Sequence, residues 1–435
     1  MAWLKRSQSK QNRGDRTGEV SSLVDGILRA AVAERSSDVH IDPGDCGALV
    51  RFRVDGVFHK KNDIPKDLVP KVVSRIKLLA RLVTYRQDMA QEGRIGFGEG
   101  IDLRVSVIPT ISGEKITLRI LDAKQRFESL SDLGLDATAS NRLKDRLMAH
   151  QGLLLTCGPS GSGKTTTLYT CAEEIRNRRG NFVNIMSVED PAERRISGVH
   201  QVQVDRDRQL DFPGTLKFLL RQDPEVILVG EIRDVETART AVEAGLTGHL
   251  VLSSIHAGST AEAYLRIIDL GVHPRMAGAA IRGLIAQRLV RRVCSNCSES
   301  LSSDRIRAMQ GRIRAIHERL GLTGDTLRHD LSPLSAVARR GKGCTECRAT
   351  GYRGRLLLAS LQTGPFPAVS GSGLSRDALG DMDKQCRQDL LKGGLEYLRR
   401  GYTTIDELFR VLAQGVSESV IQKRMESGEE VSCVS

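Results

Sequence analysis

Residues 158–165 read Gly158-Pro159-Ser160-Gly161-Ser162-Gly163-Lys164-Thr165, the spacing G-x-x-x-x-G-K-[ST], placed after the apolar run LLLTC and before the helical stretch TTLYTCAEEIR. Strand, glycine-rich loop and helix in that order make a phosphate site. The glycines let backbone N–H groups turn inward around phosphate oxygens, and the positive end of the helix favours the same anion. Lys164 is then expected at the β- and γ-phosphates and the Thr165 hydroxyl on Mg²⁺, with Thr166 completing the ATP-binding run. The competing reading, a glycine-rich turn that binds nothing, does not explain the strand and helix on either side. An acid is also required at the end of an apolar strand, and Glu231 follows VILVG about 67 residues after Lys164. Alone it would be a solvated strand end; in this α/β pattern it is expected to hold the Mg²⁺ shell through water.

Four of the nine cysteines fall into two C-x-x-C pairs, Cys294/Cys297 and Cys344/Cys347, with 46 residues between the pairs. Tetrahedral Zn²⁺ takes four thiolates, two from each tight knuckle, so structural zinc is expected, and Gly341 and Gly343 ease the second turn. A redox C-x-x-C would open a helix in a thioredoxin-like unit, and no such unit is evident. The spacer carries basic helical stretches such as RIRAMQGRIRAIHERL. Cys46, Cys157, Cys171, Cys386 and Cys433 follow no pattern and read as buried or incidental thiols.

The elements that must position these groups fall into segments. Residues 1–18 are polar and basic, a tail. Residues 19–121 combine a helical repeat (Val20, Leu23, Val24, Ile27, Leu28, Ala31) with alternating runs such as LVRFRVDGVFH, IDLRVSVIP and EKITLRIL, a small α+β domain. Residues 122–135 read as a linker. From 136 to 290 strands alternate with helices, which implies a parallel α/β sheet. The cysteine module spans 291–355, and 356–435 is read as a helical C-terminal region. A chain of 435 residues with 40% hydrophobic and 27% charged residues has room for several cores. A formal charge of +12 and pI near 9.4 admit nucleic acid, an anionic membrane face or an acidic protein as partner. No apolar run reaches the roughly 20 residues of a membrane span and the start lacks a signal-peptide core, so a cytoplasmic location is expected.

Taken together, these residues resemble the secretion and pilus-motor ATPases of bacterial type II secretion and type IV pilus assembly, from about residue 20 to 415. The resemblance is carried by SDVHIDP at 37–43, VRFRVDG at 50–56, QEGR at 91–94, GPSGSGKTTTLY at 158–169, VEDPAE at 188–193 and RQDPEVILVGEIRDVETA at 221–238. TGHLVLSSIHA at 247–257 and QRLVRRVCSNC at 287–297 extend it. It implies a RecA-like P-loop ATPase domain, a PAS-like α+β N-terminal domain, a four-cysteine zinc module and a helical tail. VEDPAE resembles the family's aspartate box, whose last acid, Glu193, polarises the attacking water as general base with Glu189 and Asp190 in support. Without the resemblance it is a polar turn before Pro191. TGHLVLSSIHA resembles the histidine box. An extended chain would separate His249 and His256 by roughly 23 Å, so both cannot reach one phosphate. Ligands lie at the carboxyl ends of parallel strands, which makes His256 the expected γ-phosphate sensor and leaves His249 a structural or interface residue. Arg94, Arg104 and Arg119 of the small domain resemble arginines that close over the γ-phosphate when the two domains clamp; otherwise they are solvated strand residues.

The same resemblance implies a homo-oligomeric, hexameric ring that hydrolyses ATP to ADP and phosphate, works on an inner-membrane platform protein and is peripherally attached to that membrane by partners. The cysteine module looks like the assembly branch. The spacer between knuckles is longer than usual, LLLAS replaces the family's continuation toward a Glu after TGYRGR, and little precedes residue 20 where many assembly ATPases begin with a further domain. The alternative is a nucleic-acid motor or DNA-binding ATPase, suggested by charge and zinc. Aromatics at 4% and a single Trp give few stacking platforms, so nucleic acid is not the expected partner.

Overall fold

A computed structural model of the chain describes residues 16–413 apart from 99, 123–126, 128, 136, 181, 206–209, 323–338, 368 and 371–372. It divides into a first unit ending at Arg126 and a second beginning at Phe127.

The first unit contains helices α1 (Arg16–Ala33) and α2 (Val69–Leu79) and strands β1 (Asp38–Gly44), β2 (Gly47–Val54), β3 (Val57–Pro65), β4 (Gln91–Gly96), β5 (Ile101–Thr110) and β6 (Gly113–Asp122). The strands form one sheet in the order β3-β2-β1-β6-β5-β4, antiparallel throughout. Alternation along the strands sorts the side chains. Val39, Ile41, Val50, Phe52, Leu103, Val105, Ile116 and Leu118 are buried in one core with Val24, Leu28, Val72 and Ile76 of the helices. The intervening positions give the opposite face its polar and charged residues. Helix α1 takes in residues 16–18, which polarity alone had assigned to the tail. The first helical turn leaves its N–H groups without intrahelical partners, so polar residues suit it. Residues 1–15 lie outside the described residues.

The second unit is a seven-stranded sheet in the order β15-β12-β7-β11-β10-β8-β9. Its strands are β7 (Gly152–Cys157), β8 (Ile185–Glu189), β9 (Val199–Gln203), β10 (Val226–Val229), β11 (Leu250–Ile255), β12 (Ile281–Val293) and β15 (Tyr352–Gln362). All neighbours run parallel except β15, which is antiparallel to β12. Every residue of β7, β10 and β11 is buried, as expected for a sheet covered on both faces. Leu153, Leu155, Ile227, Val229 and Val251 enter one core, and Leu154, Val226, Leu228 and Leu250 the other. The second core includes Leu168, Tyr169 and Ile175 of α4 (Lys164–Arg179).

Three sequence boundaries differ from the structure. Leu130 and Leu133, inside the stretch read as a linker, are buried in the second unit's core with Leu143, Leu147 and Leu168. Residues 356–362 belong to β15 and not to a helical region: Leu356–Ser360 pair with β12, and Leu357, Leu358 and Leu361 are buried. The run LLLAS therefore supplies an edge strand, onto which α10 (Arg376–Arg399) packs, with Asp389 accepting from Ser360 Oγ at 2.7 Å. Finally, α9 (Ser303–Arg319), which lies in the cysteine module, buries Met309, Ile313 and Ile316 in the same core as the main sheet.

Candidate nucleotide and metal sites

The loop 158–163 leaves the carboxyl end of β7 and feeds α4. Gly158 has φ +152°, and a Cβ there would stand 2.5 Å from Ser162 Oγ and 2.6 Å from the carbonyl of Gln287, so only glycine lets the loop fold this closely on β12. Lys164, 8% exposed, points its ammonium into the loop and donates to the carbonyls of Gly158 (2.9 Å) and Pro159 (3.2 Å). Burial lowers its pKa, and nearby Arg288 lowers it further, against the opposing fields of Cys157 and Glu193. A cation held in a glycine cradle at the start of a 16-residue helix fits a phosphate chain. The Thr165 and Glu231 oxygens are hard donors of the kind Mg²⁺ takes.

Glu231 follows β10 and His256 follows β11, so both stand at the carboxyl edge beside the loop. His256 Nε2 is 3.3 Å from Glu231 Oε2, and Arg233 pairs with the same carboxylate. Desolvation first, then Lys164, Arg233 and Arg266, hold the His256 pKa below its ordinary value, so the imidazole is neutral at pH 7. His249 lies at the amino end of the same strand, its Nδ1 3.2 Å from the Ala244 carbonyl. The two histidines therefore sit at opposite ends of β11.

The aspartate box follows β8. Glu189, 3% exposed, accepts from Ser187 Oγ at 2.7 Å, from Gln201 Nε2 at 3.0 Å and from the Tyr169 hydroxyl. Its oxygens are occupied in holding the fold. The Tyr169 oxygen also accepts from the Glu193 backbone N–H at 3.1 Å, so a buried chain runs from Glu189 through Tyr169 to the residue expected as base. Desolvation, then the Glu189 charge, pushes the Tyr169 pKa well above the usual range and keeps its proton in place as a donor. Tyr169, Ser187 and Gln201 were not anticipated. Tyr169 lies within GPSGSGKTTTLY, but its partner is 20 residues away and only the fold brings them together.

In the first unit, register aligns residues far apart in sequence. Arg94 on β4 faces Arg104 on β5, Arg104 faces Arg119 on β6, Arg119 faces Asp38 on β1, and Asp38 faces Arg53 on β2. Directly opposed residues share a face, so the three expected arginines form one row on the polar side of the sheet. Asp38 is 3.3 Å from Arg119 and 3.4 Å from Arg53, and Glu92 holds Arg104 at 2.7 Å. The Arg119 side chain remains 60% exposed. Asp38, which sequence reasoning does not single out, is the carboxylate that pairs with Arg119 at one end of this row, while Glu92 pairs with Arg104.

The four cysteine sulfurs of 294, 297, 344 and 347 lie within 4.8 Å of one another. Cys294–Cys344 is 3.9 Å, Cys297–Cys347 3.6 Å and Cys344–Cys347 3.7 Å. Four sulfurs about 2.3 Å from a tetrahedral Zn²⁺ would be about 3.8 Å apart, so the donor set fits. Asn296 Nδ2 donates to Cys344 Sγ at 3.4 Å and the N–H groups of Cys344 and Gly351 to Cys347 Sγ at 3.2 and 3.3 Å. The antiparallel pairing of β13 (Ser298–Ser300) with β14 (Arg339–Gly341) brings the second knuckle back to the first.

Residues 14–410 match the family model described as type II/IV secretion system protein. The chain is 37% identical over 402 residues to the putative type II secretion system protein E of Escherichia coli K12, covering 91% of this chain and 78% of that protein. It is 36% identical over 406 residues to the type II secretion system protein E of Pectobacterium carotovorum, covering 91% and 76%. Among solved structures, the ATPase DotB of Legionella pneumophila aligns with a TM-score of 0.52 at 18% identity, over 97% of this chain and 98% of that one, a likeness of fold. With a P-loop, an acid-flanked carboxyl edge and a match along almost its whole length, the chain belongs to the type II/IV secretion system protein family.

Proposed function

We propose that the chain is an ATPase motor that hydrolyses ATP to ADP and phosphate to drive type II secretion or type IV pilus assembly. The observation that carries this reading is the convergence of the phosphate loop, Glu231, His256 and the tethered Glu193 at the carboxyl edge of one parallel sheet. Relatives extend it to the type IV pilus assembly ATPase TfpB of Acinetobacter baylyi, 34% identical over 409 residues and matched over 67% of its length. Glycines 158, 161 and 163 with Pro159, Ser160, Ser162, Lys164, Thr165 and Thr166 hold the triphosphate. Thr165 and Glu231 hold Mg²⁺, which neutralises phosphate charge when bound. Glu193 takes a proton from the attacking water while the oxygen bonds to the γ-phosphorus and the bond to the bridging oxygen breaks. His256, neutral and beside Glu231, reads the γ-phosphate.

Cys294, Cys297, Cys344 and Cys347 hold one structural Zn²⁺. The row Arg94, Arg104 and Arg119 stabilises charge on the transferring phosphoryl group when the two units close or when a neighbouring copy in a hexameric ring presents its own. The motor is cytoplasmic and reaches the inner membrane through a platform protein and a recruiting partner; among the described residues no helix is long and apolar enough to cross a membrane. Specific ATPase activity should rise with protein concentration and fall by an order of magnitude or more in Arg104→Ala or Arg119→Ala, with nucleotide affinity nearly unchanged. Activity regained on mixing Arg119→Ala with Glu193→Gln would support a shared site. Activity indifferent to both arginines and to concentration would overturn the clamp, and absence of Lys164-dependent ATPase activity would overturn the function.

A further inference from the structure

Gln287 and Arg288 stand where β12 passes the phosphate loop. Strand β12 runs parallel to β7 with Ala286 in register with Cys157, so the next two residues flank the start of the loop. Gln287 is fully buried, and its Nε2 donates to Thr167 Oγ1, in the first turn of α4, at 2.7 Å. Its backbone oxygen is the atom against which Gly158 packs. That oxygen accepts from Arg288 Nη1 at 2.9 Å, while Arg288 Nη2 donates to the Gly258 carbonyl at 2.6 Å. Gly258 is two residues beyond His256, in the loop that enters α7 (Thr260–Asp269). The far side of that loop is fixed as well: Gly258 N–H donates to Glu262 Oε2 at 2.5 Å, and Ser259 Oγ accepts from the Glu262 N–H at 3.3 Å.

One planar guanidinium therefore joins two backbone carbonyls, one lying on the phosphate loop and one in the histidine loop. A fork of rigid N–H donors can hold both at a fixed separation, which a lysine ammonium on a flexible stem cannot. We propose that Arg288 is a positioning residue for ATP hydrolysis: by bridging Gln287 and Gly258 it sets the His256 loop at a fixed distance from the phosphate loop. The inference rests on His256 reading the γ-phosphate. Arg288 does its work through His256, so its loss and the loss of His256 remove the same function.

The test is steady-state ATPase kinetics on the full-length assembled protein for His256→Ala, Arg288→Ala, Arg288→Lys and the double variant His256→Ala/Arg288→Ala, with ADP affinity measured alongside. Arg288→Ala should lower kcat by about tenfold to a hundredfold, the range set by a displacement near 1 Å, while the ADP Kd stays within about threefold. The double variant should be no slower than the slower single variant, because contacts in one chain are not additive. Arg288→Lys keeps the charge, loses the bridge and should stay impaired; it also carries the same cycle with His256→Ala if the alanine variant does not fold. Additive losses in the cycle, full activity in Arg288→Lys, or an ADP Kd that weakens as much as kcat falls would each overturn the proposal. Wild-type kcat in His256→Ala would overturn the sensor reading beneath it, and a slow Arg288→Ala beside an impaired His256→Ala with additive losses would overturn only the bridge.

Discussion

Replacing Tyr169 with phenylalanine removes one oxygen and leaves the ring, which is 1% exposed, in place. That oxygen donates to Glu189 Oε2 and accepts from the Glu193 N–H at 3.1 Å. The other two donors to Glu189, Ser187 and Gln201, both reach Oε1, so Oε2 of a buried carboxylate loses the donor that faces it. A hydrogen bond to a charged group contributes about 1.5–3 kcal/mol, so the second unit should lose a comparable amount of stability. At about 2 °C per kcal/mol for a unit of this size, the thermal midpoint should fall by about 3–6 °C. The kinetic effect is separate. With its backbone released, Glu193 no longer holds a fixed position toward the attacking water, and a shift near 1 Å costs on the order of a hundredfold in rate. None of the Tyr169 hydrogen bonds described above involves the phosphate loop, so the Kd for a fluorescent ADP analogue should be unchanged. Thermal melts, phosphate release and analogue titration on Tyr169→Phe decide the matter. A variant with wild-type kcat and thermal midpoint would show that the Glu189–Tyr169–Glu193 chain does not position the base.

Protein purified under reducing conditions should contain one zinc per chain by elemental analysis, and Cys344→Ser should lose it and lower the melting temperature of the core that α9 shares; zinc-free wild-type protein would refute the assignment. Burial holds both His40 and His256 below their ordinary pKa, so on acidification the unfolded chain binds those protons first. Stability should therefore rise with pH through the window below about 6.5 and level off above it. The fall in thermal midpoint between pH 7.5 and 5.5 should be smaller in His256→Asn than in the wild type, and equal falls would contradict the lowered His256 pKa.

Features encoded within a few consecutive residues are legible in the sequence alone. The phosphate loop needs only glycines, a lysine and a hydroxyl between a strand and a helix, and the C-x-x-C knuckles need only a tight turn, so their spacing carries them. The arginine row was legible as three separate candidates. Its alignment depends on strand register, and Asp38, which pairs with Arg119 81 positions away, gave no local signal. Edge strand β15 was hidden for a different reason. Leu356, Leu357 and Leu358 are consecutive apolar residues of which Leu358 enters one core and Leu357 the other, so they show no period of two, and a short apolar run of that kind cannot be told from a buried helix by pattern. Leu130 and Leu133 stand in a mixed stretch with Phe127 and Leu135, and scattered apolar side chains of this kind gain meaning only from the core that receives them.

In the proposed mechanism Glu193 is the base. Glutamine at that position keeps the size of the side chain and the backbone N–H that Tyr169 accepts, and removes only the capacity to take a proton. Phosphate release by Glu193→Gln should fall by two orders of magnitude or more while ATP binding stays within about threefold of wild type. Near-normal hydrolysis by that variant, with ATP bound as tightly as before, would contradict the central claim and place the base on another residue.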